Sequence, residues 1–206
     1  MSTGTSTPEV PAALTTIHPS ESQSFQQFFI SKGTLSGYTI ENPTSTTQFK
    51  AETSLYSKGK ADITLHAGRD SKGKIIGDVD LRNFGGHYSI QLKDTENGNG
   101  AVALEELDRV KGYASRHAFH FSFAGKERQE FVWRHPGQSL NENRDDLELV
   151  LDPGDDEEEV LMAQYLKGHG WKGKTVLRVR EGGGEKWELM VVLTLLALLV
   201  TKNREQ

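Results

Sequence analysis

Gly168-His169-Gly170-Trp171-Lys172-Gly173-Lys174-Thr175 satisfies G-x-x-x-x-G-K-[ST], the spacing of a phosphate-binding loop. That chemistry needs a strand before the loop and a helix directly after it, so that backbone amides and a helix N-terminus converge on phosphate. Residues 160–166 have the strand pattern, but residues 175–180 are β-branched and alternating and then stop at Gly182-Gly183-Gly184. The match therefore reads as a hairpin loop, with a nucleotide-binding protein as the subordinate alternative.

Other groupings give weaker chemistry. Residues 152–159 hold six carboxylates in eight positions, which suggests calcium, yet they lack the alternating oxygen ligands and closing glutamate of an EF-hand. With Pro153-Gly154 between two strand patterns, the run reads as a solvated turn. His117 and His120 lie three apart on a strand pattern, so they face opposite ways and cannot share one metal. They read as surface or hydrogen-bonded histidines. No nucleophile elbow or Ser-His-Asp grouping is recognisable, so no catalytic residue, metal site or cofactor is assigned and a non-enzyme is expected.

The strongest binding signal is cationic. Lys58, Lys60, Arg69, Lys72, Lys74 and Arg82 gather within one predicted meander and form the candidate site for an anionic ligand. A second group comprises Lys167, Lys172, Lys174, Arg178 and Arg180. Asp62, Asp70, Asp78 and Asp80 interleave with the first group, so an ordinary solvated sheet face is the competing reading.

The elements that must position these residues are mostly strands. Ile63 and Leu65 alternate with Asp62, Thr64 and His66; Ile75, Gly77, Val79 and Leu81 alternate with Asp78, Asp80 and Arg82. Tyr88, Ile90 and Leu92 follow after Gly85-Gly86, then Phe119, Phe121 and Phe123, then Phe131 and Trp133. With Leu147, Leu149 and Leu151 and the patterns at 25–30, 38–40, 48–56, 160–166 and 175–180, about eleven strands are predicted, at spacings typical of a sandwich or barrel. Residues 102–110 read as a short helix, from Leu104, Leu107 and Val110.

Residues 189–200 are Leu-Met-Val-Val-Leu-Thr-Leu-Leu-Ala-Leu-Leu-Val, eleven apolar positions in twelve. A helix apolar on every side must be enclosed by protein or by lipid. Twelve residues of helix span about 18 Å against a hydrocarbon core of about 30 Å, so protein is the better enclosure. Burying its Leu, Met and Val side chains is worth at most roughly 15–30 kcal/mol, which exceeds the usual net stability of about 5–15 kcal/mol. The helix cannot be a loose appendage. A tail anchor is the alternative, kept open by Lys202 and Arg204 beyond the run.

An antiparallel barrel ending in an apolar helix resembles the tubby C-terminal-like superfamily, which includes LURP-one-related proteins and phospholipid scramblases. Trp187-Glu188-Leu189-Met190-Val191-Val192-Leu193-Thr194-Leu195-Leu196-Ala197-Leu198-Leu199 is similar to the ending of uncharacterised tubby-like proteins of fungi. The resemblance covers about residues 25–204. It implies a barrel threaded by the helix, an intracellular protein without known chemistry, and, from the tubby branch, phosphoinositide binding through barrel lysines and arginines.

Composition bounds the rest. A formal charge of -5 argues against a general nucleic-acid binder, and the lack of cysteine excludes disulfides and Cys-ligated zinc, in keeping with an intracellular, cytoplasmic location. Residues 1–24 are rich in Ser, Thr and Pro, have no secretory signal pattern, and are expected to be a disordered leader. The expectation is one all-β domain over residues 25–206: a closed antiparallel barrel enclosing a buried helix at about 186–202. Its function would be non-catalytic binding of a protein partner or an anionic membrane lipid, with peripheral membrane association and no integral span. Because the helix occupies the volume where a barrel could hold a ligand, binding is expected on the outer wall and loops.

Overall fold

A computed structural model describes residues 24–33, 37–44, 46–54, 60–82, 86–93, 101–113, 115–137, 145–151, 158–168 and 174–204. The strands are β1 (Phe25–Lys32), β2 (Gly37–Glu41), β3 (Thr47–Thr53), β4 (Ile63–Ala67), β5 (Ile75–Arg82) and β6 (His87–Lys93). They continue as β7 (Ala101–Arg109), β8 (His117–Ser122), β9 (Arg128–Arg134), β10 (Leu147–Leu151), β11 (Val160–Leu166) and β12 (Thr175–Arg180), followed by helix α1 (Gly184–Arg204).

Each strand pairs antiparallel with its chain neighbours, and β1 closes on β12 from Phe25↔Arg180 to Ile30↔Thr175. Closure leaves no edge strand among the twelve, which removes the aggregation hazard of unpaired backbone. Alternation decides what fills the interior: Phe28, Ile63, Leu65, Ile90, Phe119, Phe131, Trp133, Leu149 and Leu177 all point inward and are buried. The chain leaves β12, turns at Gly182 (φ 101°) and Gly184 (φ 73°), and runs back through the barrel as α1. Every α1 residue from Leu189 to Ala197 is buried, so the all-round apolar run meets protein on every side. Among the described residues no helix is long and apolar enough to cross a membrane.

Twelve strands stand where about eleven were expected, because residues 102–110 are not a helix but β7. The inversion of polarity along β7 explains the misreading. Leu104 faces out at 60% exposure, while Glu105 is buried at 8% beside Leu107. Glu105 accepts a hydrogen bond from the Arg128 guanidinium, and burial raises its pKa against the opposing pull of Arg128 and His120. A second correction concerns β5. Ile75, expected in the core, is 39% exposed, and Ile76 takes the interior place at 1%. A register shift across from it, between Leu65 and His66, breaks the alternation and also buries His66, which was expected to face outward. The predicted leader, the core of the phosphate-loop pattern at 169–173 and acidic residues 152–157 lie outside the described residues.

The helix does not stand at the barrel centre. It packs chiefly against β5 and β6, with a lesser contact to β4. Gly77 permits this approach: a Cβ there would lie 2.6 Å from Leu193 Cδ1 and 3.1 Å from the Gln91 carbonyl oxygen. On the far side, Trp133 Nε1 donates to Thr194 Oγ1 at 2.9 Å, and the hydroxyl donates back to the Met190 carbonyl at 2.9 Å. Around the helix N-terminus, Trp187 packs against Phe131 (4.8 Å between ring centroids), Phe123 (5.1 Å) and Phe121 (6.2 Å). Aromatic volume thus plugs that end of the barrel. Among the described residues no comparable ring cluster packs against the helix at the other end.

Candidate functional site

Strand direction alternates, so the ends of odd-numbered strands and the starts of even-numbered ones gather at a single end of the barrel, where α1 emerges. There, between the off-centre helix and the wall from β7 through β12 to β1 and β2, lies a cavity of about 400 Å³. This falls in the range of about 300–1,000 Å³ usual for small-molecule sites. Ile30, Leu147, Leu198 and Leu199 give it apolar walls. Tyr38, Tyr88 and Tyr165, each next to the last residue at the mouth end of its strand, add aromatic faces.

Its polar groups are tied to the helix terminus. Asp145 accepts from Lys202 at 2.5 Å and also from Lys167, and these bonds hold its carboxyl well below the ordinary range, at about 2. Asn203 Nδ2 donates to the Leu199 carbonyl at 2.6 Å and to the Tyr38 hydroxyl at 3.1 Å, while Arg204 binds Asp62 at 2.8 Å. The Asn203 amide thus adds a donor to a carbonyl of the last turns, and Lys202 and Arg204 place cations at the helix's negative pole. Burial, supplemented by Asp145 and other neighbours, pushes the Tyr165 phenol up to about 12, so it remains a hydrogen-bond donor.

His117 is the least satisfied group of the site. It is 8% exposed, its ring lies 5.8 Å from that of Tyr88, and Nε2 is buried with no hydrogen-bond partner. Burial first, then the positive charge of Arg109, lowers its pKa to about 4, so the imidazole is neutral near pH 7. The surface or hydrogen-bonded reading from sequence fails for His117. It describes His120, which is exposed and lies 3.2 Å from Glu130. Arg109 and His117 are register partners on β7 and β8, and both line the cavity. Arg109 has no carboxylate partner among the described residues.

The basic residues singled out from sequence are not gathered in one place. The pairing Ile63↔Val79 puts Lys60, ahead of β4, and the Arg82 backbone, ending β5, at the mouth end. Arg69, Lys72 and Lys74 occupy the β4–β5 connection at the opposite end, roughly 15–20 Å away along the strands. Lys60, Arg69, Lys72 and Lys74 are exposed; Lys58 and the Arg82 side chain lie outside the described set. Asp70 accepts from the Lys72 backbone N–H at 3.0 Å and Asp78 pairs with Lys93 at 2.5 Å. In the second group, Lys174 sits over the Phe29 ring at 4.7 Å and Arg178 over Phe25 at 5.7 Å. Thr175 begins a strand rather than a helix, so the geometry a phosphate-binding loop requires is missing after it. Among the described residues no group of three or more His, Asp or Glu is placed to hold a metal.

The mouth cavity escaped sequence reasoning. The available signal was the trio of inward tyrosines near strand ends, but helix position had to be known before they defined a space. Comparisons with protein-family models, with curated proteins and with solved structures give no match.

Proposed function

We propose that the protein is a non-catalytic binding module that holds a small ligand in the barrel mouth beside the C-terminal turn of α1. One observation carries this reading: His117, whose ring keeps a buried nitrogen without a partner, lines a cavity that combines apolar and aromatic walls with a charged rim. A buried polar atom left unpaired costs about 1–3 kcal/mol, and a ligand that pairs with it recovers that cost. The paired rim of Asp145, Lys167, Lys202 and Asn203 resembles a frame that orients rather than reacts. The barrel-and-helix architecture also supports the tubby-like reading.

A neutral fragment tests the cavity without invoking charge. Phenol titrated against the full chain should shift the NMR signals of His117, Tyr165, Leu198 and Leu199, and Leu199→Trp should abolish those shifts. Scattered surface shifts, or shifts that survive the filled cavity, would refute the site.

A second reading, recognition of acidic phospholipid at the β4–β5 connection, keeps support from exposed Arg69 and Lys72, which make no ion pair among the described residues. Sedimentation with anionic but not neutral liposomes at low salt, lost in Arg69→Gln/Lys72→Gln, is its expected result. Equal sedimentation with both removes it.

A further inference from the structure

We infer that the mouth cavity takes a single-chain amphiphile with an anionic head, the head at Arg109 and His117 and the alkyl segment along Leu198 and Leu199. This rests on the mouth-cavity reading above and adds the class of ligand.

Charge decides the head. The lining carries Lys32, Arg109, Lys167 and Lys202 against the carboxylate of Asp145. Asp145 is already shared between Lys167 and Lys202. Lys32 makes a long contact of 3.4 Å with Asn203 Oδ1, and Arg109 makes no ion pair among the described residues. Among the described residues two cations therefore line the space without a carboxylate partner. Arg109 presents a fork of N–H donors suited to carboxylate or phosphate oxygens, and the neutral ring of its register partner His117 lies beside it without adding a competing charge. A charge-assisted bond in a half-enclosed site is about twice as strong as a neutral one.

Shape decides the tail. Leu198 and Leu199 are partly exposed on a helix whose preceding nine residues are buried, and both line the cavity. Leu147 and Ile30 complete the apolar side. Such a strip shields alkyl carbon from water. The three tyrosines would also suit a quaternary ammonium through their ring faces. The surplus of lining cations opposes it, so the two chemistries make opposite predictions.

Calorimetric titration of the full chain with decanoate, decyl phosphate, decan-1-ol and decyltrimethylammonium, all below micelle formation, separates them. The expected result is that both anions bind at least about tenfold more tightly than the alcohol and the cation. Arg109→Gln should weaken anion binding about tenfold and leave the alcohol unchanged. The tighter anion identifies the source as a fatty-acid carboxylate or a phosphate ester. His117→Phe serves as a second variant and should weaken the anions more than the alcohol. If alcohol and anions bind equally, or if Arg109→Gln changes neither, the cavity binds without reading charge: the class proposed here falls while the mouth site stands. Preference for the ammonium also overturns it. If no amphiphile binds and phenol does not either, both readings fall together.

Discussion

Replacing Thr194 with Val keeps side-chain size and removes a single hydroxyl at the centre of the fold. In the native barrel that oxygen accepts from Trp133 Nε1 at 2.9 Å while its own proton goes to the Met190 carbonyl. Both side chains are fully buried, so after the substitution the indole N–H has no water to turn to. An orphaned buried donor costs about 1–3 kcal/mol, and the added methyl returns up to about 0.8 kcal/mol, leaving a net loss of about 1–2 kcal/mol. For a chain of this size that corresponds to a fall in melting temperature of about 2–8 °C. Trp133→Phe separates the bond from packing. In that background the Thr194 hydroxyl still donates within the helix and leaves nothing orphaned, so Thr194→Val should then cost less than about 0.5 kcal/mol. A double-mutant cycle by urea unfolding should thus return a coupling of about 1 kcal/mol or more. If Thr194→Val costs the same in both backgrounds, the indole-to-hydroxyl clasp does not hold the helix to the β9 wall.

Gly183→Ala should destabilise by more than about 2 kcal/mol in chemical unfolding, because its Cβ would lie 2.4 Å from the buried Trp187 ring and 2.6 Å from Phe123. Gly77→Val should cost about 1–3 kcal/mol in chemical unfolding, because its side chain would meet Leu193 Cδ1 at 2.6 Å and the Gln91 carbonyl oxygen at 3.1 Å. For His117, the folded pKa of about 4 lies below the ordinary value of 6.5, so the unfolded chain binds more protons between these values. Its contribution is present above pH 6.5 and is lost as pH falls toward 4, by about 3 kcal/mol in all. His117→Phe should flatten the stability profile across that window, and an unchanged slope would show that the imidazole is not the titrating group.

The strand faces were legible wherever inward positions were apolar and outward ones polar, as at Phe119, Phe121 and Phe131. β7 was not, because Glu105 points inward to Arg128 and Leu104 outward, a pattern that only cross-strand partners justify. The shift between Leu65 and His66 was equally silent, since a bulge exchanges Ile75 for Ile76 without altering composition. For the site, spacing drew attention to Gly168-to-Thr175 and to the meander cations. The β12 strand after the loop, and the separation of Lys60 from Arg69 and Lys72, follow from topology.

By itself the sequence determined an alternating all-β chain and an apolar helix that must be enclosed. Both are local consequences: period-two burial marks a strand, and a helix without a polar face has no stable place in water. Where the helix lies inside the barrel was a tertiary decision. It balances the missing side chain of Gly77 on one wall against the aromatic volume of Phe119, Phe131 and Trp133 on the others. That sum runs over residues distant in the chain, so no local window contains it. The space left at the mouth, with His117 and Arg109 beside it, is what remains when those volumes are packed.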